Sequence, residues 1–138
     1  MKHNRFIKIT TEHTQSELED LVNKIPTFQV EEIKKLYQNF DCVEYINRKN
    51  RVCMYASIHE NYIKDLIDLY TKLNISFNFE DITKKTLFGL EKSQDLNVEK
   101  LISRFIKNNL EVDDVLDKIN ELGSSSLTKK DFLVLKSV

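Results

Sequence analysis

Hydrophobic residues change their spacing several times within the first part of the chain, and this change of period constrains the fold more than any other feature. Ile75, Phe77 and Phe79 alternate with polar residues, a period of two that predicts a half-buried strand. Three other segments combine β-branched and aromatic residues in the same way, and two of them flank a polar tip suited to a hairpin turn. The predicted strands are residues 5–10, 42–46, 51–56 and 75–79, with the turn at 47–50.

Helical spacing appears between these strands. Thr14 with Glu17, and Ser57 with Glu60, have the spacing of a capping box, which marks the start of a helix. The predicted helices are residues 14–25, 30–40 and 57–73, the first with apolar residues at 18, 21, 22 and 25. The order is therefore β-α-α-β-β-α-β, which predicts an α+β fold, a ferredoxin-like sandwich with one extra helix.

Periodicity weakens after the last predicted strand, which divides the chain. We expect a sandwich domain over residues 1–83, a linker over 84–97 and a helical tail over 98–138. A tail of about forty residues is too short for a comfortable core of its own. We therefore expect it to dock on the first domain or on a partner.

Composition excludes the commonest catalytic and cofactor sites. The 138 residues include two glycines and one proline, so glycine-rich phosphate loops are absent. The histidines and cysteines have no metal-ligand spacing, and Cys53 with His59 is a weak candidate for a catalytic dyad. The sequence predicts a chain that is not an enzyme and needs no metal or cofactor. With no signal peptide or membrane span expected, it predicts a cytoplasmic protein.

One face of the predicted sheet carries the candidate binding residues, which are Phe6, Lys8, Arg51 and Tyr55. Two aromatics among two cations resemble, in outline, the base-stacking surface of an RNA-recognition motif. The formal net charge of −1 gives little attraction for phosphates. We expect residues 98–122 or a second copy of the chain, rather than nucleic acid, to cover this face.

The sequence pattern of residues 111–135 predicts a helix, a glycine cap and a second capped helix. This segment resembles the short cytoplasmic tail motif of some bacterial rhomboid-family proteins. The similarity rests on Leu116, Asp117, Lys118, Ile119, Gly123, Ser126, Leu127, Thr128, Asp131 and Leu135. The membrane spans and the nucleophile of that family are absent, so the resemblance implies a portable helical hairpin and no protease activity.

Three functions remain open from the sequence. The first is a non-enzymatic cytosolic module of unknown specific role that either binds a protein partner or itself, or is regulatory. The second is a single-stranded nucleic-acid-binding domain that uses the open sheet face. The third is a toxin-immunity protein, which a toxin gene beside this one would indicate.

Overall fold

The computed structural model describes residues 3–48 and 51–137. It divides into two compact units, residues 1–82 and 83–138. The first unit holds four strands in the order β2-β3-β1-β4, and all neighbouring strands are antiparallel. The strands are β1 (Asn4–Thr11), β2 (Phe40–Arg48), β3 (Arg51–His59) and β4 (Phe77–Asp81). The α+β class and the predicted order of elements are confirmed.

Three helices connect these strands: α1 (Gln15–Asn23), α2 (Thr27–Tyr37) and α3 (Ile63–Lys72). The capping box of Thr14 and Glu17 is confirmed at the start of α1. The one predicted for Ser57 and Glu60 is wrong, because β3 continues through Ser57 to His59. His59 caps the following 3-10 turn instead, and its Nδ1 accepts the N–H of Asn61 at 3.1 Å.

The core of the first unit lies between one sheet face and the helices. Ile7, Ile9 and Met54 are at most 1% exposed and pack against Leu66 and Tyr70 of α3. Residues of α2 and β4 lie half-buried around this cluster. Among the described residues, α1 adds none to it, although its apolar spacing predicted core packing.

The polar tip predicted at 47–50 lies partly outside the described residues, since Lys49 and Asn50 are not described. At the other end of the sheet, β4 begins at Phe77, two residues later than predicted, and ends at Asp81. The segment before it is held by main-chain hydrogen bonds from Glu12 N–H to the Ser76 carbonyl and from Ile75 N–H to the Tyr70 carbonyl.

The predicted linker over 84–97 contains structure that the sequence pattern does not show. Thr83–Leu87 form a short helix, α4, and Thr86, Leu87 and Phe88 are buried in succession. A single helical turn is too short to show a period, and consecutive buried residues mask it further. These residues belong to the second unit.

The second unit continues with α5 (Leu96–Asn109), α6 (Val112–Leu122) and α7 (Lys129–Lys136). The apolar spacing of α5 is confirmed as a buried face that includes Val98 and Phe105. Gly123 ends α6 with a φ of +84°, a conformation that side chains with a Cβ rarely adopt. The docking predicted for the tail stays a prediction.

A buried ion pair joins α6 to α7. Lys118 Nζ lies 2.8 Å from Asp131 Oδ2, and the two side chains are 4% and 2% exposed. The same carboxylate oxygen accepts the N–H and the hydroxyl of Thr128, so the predicted cap at Thr128 is confirmed. Burial alone would raise the pKa of Asp131, but the hydrogen bonds from Lys118 and Thr128 outweigh it and hold that pKa below its usual value.

Within the described parts of the chain, no helix combines the length and the apolar character needed to cross a bilayer.

Candidate functional site

The sheet brings three of the four predicted binding residues together. Lys8 lies directly opposite Tyr55 in the pairing of β1 with β3, and Phe6 lies two residues before Lys8. The ring centroids of Phe6 and Tyr55 are 6.3 Å apart. Lys8 Nζ lies 5.6 Å from the centroid of the Tyr55 ring, within cation–π distance. Phe6, Lys8 and Tyr55 therefore form one contact cluster.

Arg51 does not belong to this cluster. Arg51 and Tyr55 are four residues apart on β3, about 13 Å in an extended strand. The Arg51 guanidinium lies 3.7 Å from Glu12 Oε1 at an exposed position. The sequence correctly assigns Arg51 to the same sheet face as Tyr55, but the distance along the strand separates the two side chains.

The aromatic rings of this face are fully buried. Phe6 and Tyr55 have 0% exposure, and Cys53 and Ser57 beside them on β3 have 2% and 1%. A nucleic-acid base stacks only on an accessible ring face. In this structure neither ring offers one.

Two hydroxyl groups of this face have unmet hydrogen-bonding capacity. Tyr55 Oη and Ser57 Oγ are buried, and neither forms a hydrogen bond with any described residue. A buried hydroxyl without a partner costs free energy, because it has lost its bonds to water. Tyr55 and Ser57 thus each bury a hydroxyl group on this face at a cost in free energy.

An open groove of about 700 Å³ lies elsewhere in the first unit, between α1 and the strands β2 and β3. We call it the α1–β2 groove. Its apolar walls are Leu18, Val22, Tyr45, Ile46 and Val52, and its polar ones are Gln15, Glu19, Asn23 and Asn47. The Asn47 amide donates to Gln15 Oε1 at 3.1 Å and joins the strand to the helix at that point.

The groove runs along β2, the outermost strand of the sheet. Tyr45, Ile46 and Asn47 are consecutive in β2, and all three line it. Successive side chains of a strand point to opposite faces of a sheet. Tyr45 and Asn47 therefore share one face of β2, opposite Met54 and Val52 of β3, and the groove follows that face along the strand.

Sequence reasoning missed this groove. The apolar residues of α1 have the spacing of a core helix, yet none of them is fully buried, and Val22 is 51% exposed. Tyr45 is 48% exposed on the facing strand. No signal in the sequence distinguishes an apolar stripe that packs fully from one that packs in part, so only the tertiary structure reveals the groove.

A second cavity, of about 670 Å³, lies between α2 and α3. Carboxylates and ammonium groups alternate around it, including Glu32, Lys35, Asp65 and Lys72. With Asp68 there are three carboxylates and two ammonium groups, and the apolar lining residues are Leu36, Tyr62 and Leu69. This cavity has the character of a solvated groove between two helices.

The histidines are occupied in local contacts. His3 Nδ1 lies 3.0 Å from Glu60 Oε1, and His13 Nε2 accepts the N–H of Ser76 at 3.0 Å. His59 and Cys53 are six residues apart on β3, about 20 Å, so the candidate dyad does not form. Among residues 3–48 and 51–137, no three His, Cys, Asp or Glu side chains are grouped as metal ligands would be.

In comparisons with known proteins, neither a family model, nor a curated protein, nor a solved structure matches this chain.

Proposed function

We propose that this chain is a non-enzymatic protein-binding module, and that the α1–β2 groove receives an extended segment of a partner protein. The observation that carries the proposal is that the groove runs along β2, the outermost strand of the sheet, where Tyr45, Ile46 and Asn47 all line it. An outer strand has main-chain N–H and C=O groups along its free edge. A partner segment can use these groups to extend the sheet.

The position of β2 supports this mode of binding. In the strand order, β2 is outermost, and within the described residues it pairs only with β3. Its nine residues are enough to align a partner strand of ordinary length. The exposed parts of Val22 and Tyr45 supply apolar contacts for alternate side chains of that segment.

The charge of the groove favours a protein over nucleic acid. Among the lining residues whose side chains the structure describes, Glu19 is the only ionisable group apart from the Tyr45 phenol. Helix α1 carries Glu17, Glu19 and Asp20 and no basic residue. A phosphate backbone would be repelled there. With Phe6 and Tyr55 buried as well, the nucleic-acid alternative has less support than the protein-binding one.

An immunity protein would be one instance of such a module, with a toxin as the partner. A regulatory role would follow if the captured segment belonged to an enzyme. We place the module in the cytoplasm, where a free, buried thiol such as that of Cys53 stays reduced.

Site-specific crosslinking tests the proposal. A photoreactive side chain replaces Tyr45 in the complete chain, and the matched control places it at Phe28, which is 70% exposed on α2 and does not line the groove. In cells that produce the protein, we expect position 45 to attach to one segment of a partner protein. Val22→Glu should abolish that adduct.

Three results would refute the proposed function. One is equal labelling at positions 45 and 28, which would indicate nonspecific collision. Another is an adduct with nucleic acid. The third is an adduct with a second copy of the chain, which would replace the partner by self-association.

A further inference from the structure

The second unit has a smaller groove of its own, about 370 Å³, between α5 and α7. We call it the α5–α7 groove. On one side its lining residues run from Ser103 of α5 to Leu110, the C-cap of that helix, about 10 Å, and include Ile106 one turn before Leu110. On α7 the lining includes Leu133, which is 65% exposed. The groove therefore has apolar walls that remain open to solvent.

A lysine lies on each side of these walls. Lys107 of α5 and Lys130 of α7 both line the groove, and both are exposed. Neither forms an ion pair with any of the residues that the structure describes. An anionic ligand could therefore approach both ammonium groups without displacing an existing partner.

The surrounding helices strengthen this positive charge. Cations on α5 and α7 are Lys100, Arg104, Lys107, Lys129, Lys130 and Lys136. The two helices contain only two carboxylates, and both are engaged: Asp131 with the buried Lys118, and Glu99 with the N–H of Ser93. The two helices that form the groove are thus net positive, while Glu111 and Asp113 line the neighbouring cavity beyond Leu110.

We propose that the α5–α7 groove binds an amphipathic helix of a partner protein, one with leucine-like side chains on one face and aspartate or glutamate beside them. One wall of about two turns, from Ser103 to Leu110, and a shorter one from Lys130 to Val134 suit the i, i+3 and i+4 side chains of a third helix. Lys107 and Lys130 select acidic flanks and reject basic ones. This site is separate from the α1–β2 groove, and the inference does not rest on the proposed function.

A membrane surface fits this groove less well. An interfacial helix needs one broad apolar face exposed along its length. The apolar face of α5, from Val98 through Phe105, is buried instead. What remains open is a narrow groove with a few apolar side chains, which matches a helix better than a bilayer.

A titration of the complete chain with designed peptides tests the inference. The probe is a helical peptide of about 14 residues, or about 21 Å, with leucine at i, i+3, i+4 and i+7 and glutamate at most other positions. A second peptide has lysine in place of each glutamate. We expect the acidic peptide to bind, with an affinity that falls as salt is added, and the basic peptide to bind at least tenfold more weakly.

Two variants probe the apolar and the charged parts independently. Leu133→Ser should weaken the acidic peptide by about tenfold or more, because a leucine-sized contact is lost. Lys107→Glu with Lys130→Glu should weaken it at least as much and remove its salt dependence. The matched controls are Phe132→Ser, exposed on α7 but outside the groove, and two changes in the first unit, Lys64→Glu on the exposed part of α3 and Val22→Glu. All three should bind like the unaltered chain, and circular dichroism confirms that each variant is folded.

Several results would overturn the inference. Equal binding of the acidic and the basic peptide would show that Lys107 and Lys130 do not select a ligand by its charge. Binding to vesicles with anionic headgroups, but to neither peptide, would assign the surface to membranes. Self-association that Leu133→Ser abolishes would make a second copy of the chain the occupant. Loss of crosslinking at position 45, in contrast, would count against the proposed function of the α1–β2 groove and would leave the inference about the α5–α7 groove unaffected.

Discussion

At the scale of single residues, the pair formed by Lys118 and Asp131 is the most consequential contact between α6 and α7. Both side chains are almost fully buried, and an isolated charge at such a position would be unstable. The lysine is neutralised only by this carboxylate among the described residues, while the carboxylate has Thr128 as a further donor. Removing one member therefore leaves the other as a buried charge.

Replacement of Asp131 should show this cost. We expect Asp131→Asn to lower the free energy of unfolding by about 3–5 kcal/mol, the usual penalty for breaking a buried pair. The matched control is Asp117→Asn on the exposed part of α6, which should change it by less than about 0.5 kcal/mol. Urea denaturation at neutral pH measures both, and equal stabilities would contradict the assigned role.

The same carboxylate predicts a pH dependence. The pKa of Asp131 is lowered in the folded chain relative to about 3.9 for an unfolded aspartate. Its stabilising contribution is therefore complete above about pH 4 to 5 and is lost as the pH falls through the folded pKa. We expect stability to fall more steeply below pH 4 in the unaltered chain than in Asp131→Asn. Parallel slopes in denaturation at several pH values would disprove this linkage.

Removal of the Tyr55 hydroxyl group should not destabilise the folded protein. Its hydroxyl is buried and makes no hydrogen bond with the described residues, so Tyr55→Phe removes a polar group that costs free energy. We expect the melting temperature to stay the same or rise. Tyr70→Phe is the control, because the Tyr70 hydroxyl contacts Tyr37 and Met54, and its loss should lower the melting temperature. Destabilisation by Tyr55→Phe would reveal a hydrogen-bonding partner.

At the scale of elements, the position of a strand in the sheet decides how much its residues contribute. Phe77 and Phe79 have the clearest alternation in the sequence, but β4 is an outer strand and both side chains are only half-buried. Leu66 of α3, in contrast, faces the centre of the sheet and has 0% exposure. Clear alternation therefore does not imply the largest energetic contribution.

Truncation of Leu66 and of Phe77 should show whether a residue's position in the sheet or its sequence pattern better predicts its contribution to stability. We expect Leu66→Ala to cost about 2–5 kcal/mol, the range for a fully buried leucine. Phe77→Ala should cost less than a buried phenylalanine would, although its ring makes an edge contact with Tyr70 at 5.4 Å. Chemical denaturation gives both values, and a larger loss for Phe77→Ala would mean that β4 is more central to folding than its place in the sheet suggests.

At the scale of the whole molecule, stability should depend on packing and not on cross-links or metal. Cys53 is a free buried thiol, and the described residues hold no cluster of metal-ligating side chains. We expect neither EDTA nor a reducing agent to change the melting temperature. In a somewhat larger domain, a change of about 1 kcal/mol in the free energy of unfolding shifts the melting temperature by about 2–4 °C. A shift of this size or more with either reagent would contradict the expectation.

The sequence by itself determined the order of strands and helices and the residues that share each sheet face. Ile7, Ile9 and Met54 on one face, and Phe6, Lys8 and Tyr55 on the other, follow from a period of two, which is a local property of the chain. The caps at Thr14, Gly123 and Thr128 are equally local, because each involves residues within one turn.

Only the tertiary structure decided which of these surfaces are accessible. Periodicity shows that residues share a face, but it does not show what covers that face or how completely a helix packs. The sequence led us to expect a cover over Phe6 and Tyr55 but did not identify it, and it gave no sign that Val22 and Tyr45 are exposed. The structure buries Phe6 and Tyr55 and exposes Val22 and Tyr45 along the α1–β2 groove. The physical reason is that burial is set by contacts between residues distant in the chain, and these contacts leave no local pattern.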